Sequence, residues 1–177
     1  MSNLISIGSS PDAPSYACPS PSITLFNTFH YTVYVPTNAS IQALHNEGKL
    51  PTWDEVEEEQ DEDEKERMTE QIEKFLKYHI QDNSLYIGQG NIEEADYETS
   101  AYEINGADNT ISYCRLTVKG DGSHLSVTDA AGNKRNVLTN GGLYNLMARE
   151  YQYNTKDVAS ASEIYTSSYA VVHQIDG

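Results

Sequence analysis

Tyr31-Thr32-Val33-Tyr34-Val35-Pro36-Thr37-Asn38-Ala39-Ser40-Ile41-Gln42-Ala43-Leu44 is the stretch from which the architecture is read. Its first five residues are β-branched or aromatic, the types that fit a pleated, half-buried strand. Pro36 ends that strand because it cannot donate to a ladder. Thr37 or Asn38 then suits a helix N-cap, with Ala39, Ile41, Ala43 and Leu44 behind it and Gly48 as a stop. Upstream, Ile23–Phe26 reads as another strand. Residues 1–22 hold Gly8, Pro11, Pro14, Pro19 and Pro21 among Ser and Ala, the composition of an irregular Pro/Ser-rich arm.

Downstream, Pro51 precedes Thr52-Trp53-Asp54-Glu55, a capping-box pattern that starts a second helix. Residues 54–67 carry ten acidic and two basic side chains. This acidic insertion, about residues 51–67, reads as the solvated approach to a third helix over Asp63–Tyr78. In that helix Met68, Ile72, Phe75, Leu76 and His79 recur at helical spacing, and Lys74 and Lys77 sit where cations suit the dipole. After Gly88 the pattern turns to alternation, over Tyr97–Ile104, Thr110–Lys119 and Ser123–Thr128. Gly120-Asp121-Gly122 and Ala130-Ala131-Gly132-Asn133 supply turns, and Glu163–Asp176 closes as one extended element. Helices mostly ahead of strands point to an α+β domain over residues 23–177.

The chain has 177 residues, 11 basic and 27 acidic, for a net charge of −16. That balance disfavours nucleic acid and anionic membranes, which need clustered Lys and Arg. No apolar run is long enough to span a bilayer, so no membrane insertion is expected of this chain. No positive-then-apolar leader follows Met1. Cys18 and Cys114 admit either one long-range disulfide, in an oxidising compartment, or two separate thiols. No spacing of Cys and His suggests zinc, and no cofactor is expected.

Three segments together carry a family resemblance: Tyr31–Ala39; Phe75-Leu76-Lys77-Tyr78-His79-Ile80; and Tyr169-Ala170-Val171-Val172-His173-Gln174-Ile175-Asp176-Gly177. In order and spacing they resemble the opening, central Tyr-His and closing signatures of the fasciclin-like domain, of the type found in bacterial surface lipoproteins. Tyr169-Ala170 stands where that family usually has Asn-Gly. The helices that usually precede the first signature are missing, which leads to the expectation of a partial domain cut from a longer protein. The resemblance implies a wedge of mixed and antiparallel sheet with helices packed at one side. It implies a non-enzymatic, extracytoplasmic adhesion module held at the cell surface or outer membrane by an anchor outside this chain. Its partner would be an extracellular protein or a glycan. The alternative is a structural assembly domain of a larger membrane-anchored lipoprotein, docking on neighbouring domains of the same longer chain. The family's adhesion segments map onto Leu76, Tyr78, His79 and Ile80, and onto Glu163-Ile164, where Glu replaces the usual Asp. Pro36, Thr37, His173 and Asp176 map onto framework positions.

Read without the family, His79 and His173 have the character of imidazoles tied to backbone at a corner and in a closing strand. A hydrolase would need Ser40, Ser167 or Ser168 to meet His173 and Asp176. Three positions apart on one strand, those two face opposite sides, and no Gly-x-Ser-x-Gly elbow exists. The acidic insertion lacks the spacing that pre-shapes a Ca²⁺ cage. A second acidic patch over residues 93–108 has six acids and no base, and suits a cationic partner. Tyr86, Tyr97, Tyr102, Tyr151 and Tyr153 are candidate contact rings for sugars or proteins.

Overall fold

In the computed structural model, the backbone is described for residues 30–153 and 164–177 and for two short strands, β1 (Asn3–Leu4) and β2 (Thr24–Leu25). Side chains are described for 30–147 and 170–177. The remainder of the Pro/Ser-rich arm, Cys18 and Glu163 lie outside the described residues.

The strand read from Tyr31–Val35 is β3 (His30–Val35), and α1 (Asn38–Asn46) follows it. Thr37 is the cap: its Oγ1 accepts from the Ser40 amide at 3.2 Å. Gly48, at φ +65°, takes the left-handed turn that releases the chain after α1. α2 (Trp53–Glu58) opens on the Thr52–Glu55 capping box, with Thr52 N donating to Glu55 Oε2 at 2.7 Å and Glu55 N donating to Thr52 Oγ1 at 3.1 Å. α3 (Glu62–Tyr78) starts earlier than expected because Asp61 caps it, its Oδ1 accepting from the Asp63 and Glu64 amides. The acidic block is therefore mostly helix, not an approach to one. Its carboxylates fill the first turns of α2 and α3, where the N-terminal dipole favours them.

From the corner at His79 the chain enters β4 (Ile80–Asp82), β5 (Asn91–Ile104), β6 (Ile111–Asp121), β7 (Leu125–Thr128) and β8 (Lys134–Asn136). It ends in β9 (Leu146–Tyr153) and β10 (Ile164–Gln174). β6 runs through Gly120 to Asp121, so the reversal comes after the expected turn, at Gly122–His124. There the Asp121 carboxylate accepts from the Ser123 and His124 amides, at 2.9 and 2.8 Å.

The eight-stranded sheet has the order β8-β7-β6-β5-β4-β3-β10-β9. Every neighbour is antiparallel except β3 and β10, which run parallel with Tyr169 opposite His30 and Gln174 opposite Val35. The sheet curls into a half-barrel until the end of β8 meets the end of β10. Val137 bridges Ile175, Leu138 N donates to Gln174 O at 2.8 Å, and Asp176 N donates to Asn136 O at 3.0 Å. Tyr34, Leu85, Ile92, Leu116, Val118, Leu125, Val127, Val137 and Ile175 fill the interior of this curl. A second, smaller core of Leu50, Val56 and Ile72, flanked by Trp53, Met68 and Phe75, joins the three helices. The α+β class holds, as helices beside a mixed, curled sheet.

Candidate functional site

His173 is fully buried in β10. Its Nδ1 accepts from the Asn145 amide at 3.2 Å, so the proton sits on Nε2, which donates to Leu85 O at 2.9 Å. Burial pushes its pKa below the ordinary 6.5. Both nitrogens are thus committed to backbone, and His173 has none left for a nucleophile. Asn145, at φ +52°, extends the clamp through its side chain, accepting from Ile87 N at 3.0 Å and donating to Ile87 O at 2.7 Å. Asp176 is equally committed. Its carboxylate accepts from Asn136 N and Nδ2 at 2.9 and 3.0 Å. Ser40 shares a 2.7 Å hydrogen bond with Thr37 inside the α1 cap. Ser167 and Ser168 lie where side chains are not described. Ser40, His173 and Asp176 therefore do not come together as a catalytic set.

His79 closes α3. Its Nδ1–H donates to Phe75 O at 2.7 Å, its ring stacks at a tilt on Phe75 with centroids 4.4 Å apart, and its carbonyl accepts from Tyr34 N at 2.9 Å. Burial lowers its pKa as well. Around this corner Leu76 is exposed, Tyr78 and His79 are half-buried, and Ile80 is buried. The four adhesion-segment positions therefore do not form one surface. Ile164 begins β10, its side chain not described.

Pro36, Tyr78, His79 and Asp176 do converge, on a cleft of about 760 Å³ at the open mouth of the half-barrel. Its floor is the top of the core: Tyr34, Leu116, Val127 and Ile175. Ala43 and Leu44 of α1 and Phe75 of α3 form an apolar wall, while Glu47, Lys49, Asp129, Asn133 and Arg135 form a polar rim. Most rim charges are occupied. Glu47 pairs with Lys49 at 2.7 Å, and Asp129 accepts from Ala131 N, Asn133 N and Asn133 Nδ2. An apolar floor with a few fixed polar groups at the edge, in this size range, is the anatomy of a ligand site. The rim residues went unnoticed in the sequence, because nothing local says that the β7–β8 turn faces α1 across the barrel mouth.

The acidic patch over residues 93–108 is more nearly neutral than it reads. Glu94 pairs with Lys119 at 3.2 Å, Glu98 with Arg115 at 3.0 Å and Glu103 with Lys74 at 2.9 Å. The cations come from β6 and α3, outside the segment. Tyr102 is exposed and Tyr86 and Tyr97 half-buried; the side chains of Tyr151 and Tyr153 are not described. Cys114 is a half-buried free thiol. Among the described residues no three His, Cys, Asp or Glu side chains group to hold a metal ion, and no helix is long and apolar enough to cross a membrane. Compared with family models, with curated proteins and with solved structures, the chain gives no significant match.

Proposed function

We propose that this chain is a non-enzymatic binding module of the fasciclin-like kind, displayed outside the cytoplasm, which contacts an extracellular protein or glycan. The observation that carries this reading is the cleft at the barrel mouth. It is large enough to take a short segment of a polymer and open enough to let the chain continue past it. Aromatic and apolar side chains line its depth, and the polar rim fixes orientation, as complementarity-driven recognition requires. Pro36, Tyr78, His79 and Asp176, all from the three signature segments, lie on its walls. In the described residues the buried imidazole is held in place by backbone, which suits a rigid scaffold better than proton transfer.

The test is a screen of the purified chain against a glycan array and extracellular-matrix proteins, with Ala43→Trp as the blocking variant. Ala43 is exposed on α1 and lines the cleft, so an indole there fills the wall without disturbing the core. Binding by the parent chain that the variant loses, with melting unchanged, supports the reading. Binding that survives in the variant places recognition elsewhere, and silence on both panels favours the assembly reading. That second reading has its own observation: Leu143, Tyr144 and Leu146 stand exposed where the chain enters β9, the outermost strand of the sheet.

A further inference from the structure

We infer that Asn140 is a site of self-modification: the Gly141 amide displaces ammonia from its side chain, and the product loosens the seam that closes the half-barrel. Asn-Gly occurs twice in the chain, as Asn105-Gly106 and Asn140-Gly141, and both pairs stand exposed. Glycine matters in such a pair because no side chain shields its N–H from the neighbouring Asn carboxamide. The structure sets the two pairs apart. Asn105 is built into the β5–β6 turn. Its N donates to Thr110 O at 2.9 Å, its carbonyl accepts from Asn109 N at 2.8 Å, and its Oδ1 accepts from Ala107 N at 3.0 Å. That last bond ties the carboxamide to residue 107, past the amide that would attack it. Asn140 and Gly141, by contrast, make no hydrogen bond from side chain or main chain among the described residues. Gly141 sits at φ +76° with open space where a side chain would stand.

In the reaction the Gly141 nitrogen bonds to Asn140 Cγ as the Cγ–Nδ2 bond breaks. The amide proton leaves with that nitrogen as ammonia, and a five-membered succinimide ring closes. Water, the co-reactant, then opens the ring at one of two carbons. Addition at Cγ gives Asp with the main chain unchanged. Addition at the main-chain carbonyl carbon of residue 140 gives isoaspartate, whose main chain runs through Cγ and is one carbon longer. The loop cannot absorb that carbon freely, because Gln174 of the closing strand holds both of its stems. Leu138 N donates to Gln174 O at 2.8 Å, Leu143 N donates to Gln174 Oε1 at 3.2 Å, and Gln174 N donates to Leu143 O at 2.7 Å. Between the stems, Gly142 lies so close to Leu138 that a Cβ on it would collide with the Leu138 side chain. The lengthened loop must therefore release at least one Gln174 bond, beside the Val137–Ile175 bridge that joins the end of β8 to the end of β10.

Peptide mapping of the full chain, held at mildly alkaline pH, follows both sites by mass and by their isoaspartate content. A parallel sample in denaturant gives the ratio of the two rates set by sequence alone. Folding raises that ratio, Asn140 over Asn105, by about two- to tenfold, because Asn105 must first give up a hydrogen bond and Asn140 none. Isoaspartate at position 140 lowers the melting temperature of the aged chain by about 2–4 °C, the worth of one hydrogen bond in a chain of this length. Asn140→Gln, whose longer side chain does not close the five-membered ring, ages under the same conditions without that loss. A folded chain in which Asn140 stays intact, or in which the ratio is no higher than in denaturant, overturns the inference. So does an aged chain rich in isoaspartate at position 140 that melts with the fresh one.

Discussion

His173 shows how much can depend on one neutral ring. It joins the closing strand to the β4–β5 connection through Leu85 and to the loop before β9 through Asn145. Protonation would turn Nδ1 from an acceptor into a donor facing another donor. His79 has less at stake, since its one described hydrogen bond is donated and survives protonation, but its burial also favours the neutral form. For both groups the folded pKa lies below the unfolded 6.5, so the unfolded chain takes up protons first on acidification. Their contribution to stability is present in full above pH 6.5 and is lost as pH falls through the folded values. Melting temperature should therefore drop between pH 7 and pH 5, and a flat profile would contradict the clamp. Replacing His173 by Ala leaves the Asn145 amide and the Leu85 carbonyl unmet beside a new cavity. Chemical denaturation should show a loss of at least about 3 kcal/mol. His79→Ala, losing one buried bond and a ring contact, should cost about 1–3 kcal/mol.

Among the elements, the three helices were the most legible in the sequence, because each is started by residues within one turn of its own beginning. Thr37 and the Thr52–Glu55 pair act locally, and sequence is a local record, whereas Asp61, one acid in a run of acids, did not stand out as the cap of α3. Thr52→Ala should lower stability by about 1 kcal/mol through the lost cap, measurable by thermal melting. Changing Glu57, Glu58 or Glu66 to Gln should leave melting nearly unchanged, since these carboxylates face solvent. Strand phases were legible in the same way. Alternation along β6 puts Ser112, Cys114 and Leu116 on one side and Ile111, Tyr113 and Arg115 on the other. What alternation could not tell was which side α3 would cover. That Tyr102 and Tyr113 stand exposed is settled only by tertiary contacts. The cleft was hidden for the same reason. Its walls come from α1, the end of α3 and the β7–β8 turn, and only their packing around the curl brings them together.

At the scale of the whole molecule, the charge is spread unevenly in its consequences. On β5, Glu94 and Glu98 are ion-paired across to β6 and Glu103 to α3, whereas most of the acids on α2 and the start of α3 are exposed without an ion-pair partner among the described residues. Screening should thus act mainly on the helical side, raising the melting temperature modestly as salt is added without altering the cleft. The parallel contact of β3 with β10 has a further consequence, for the order of events as the chain is made. β3 is the first strand of the large sheet to be synthesised and β10 the last, yet they lie side by side, one strand in from its β9 edge. Helices and the β5–β8 meander can form from near neighbours, but this junction must close a loop of nearly the whole described chain. Topologies of that kind fold slowly. Until the final strand leaves the ribosome, one edge of β3 waits uncovered, and the nascent protein stands exposed to pairing with strands that are not its own.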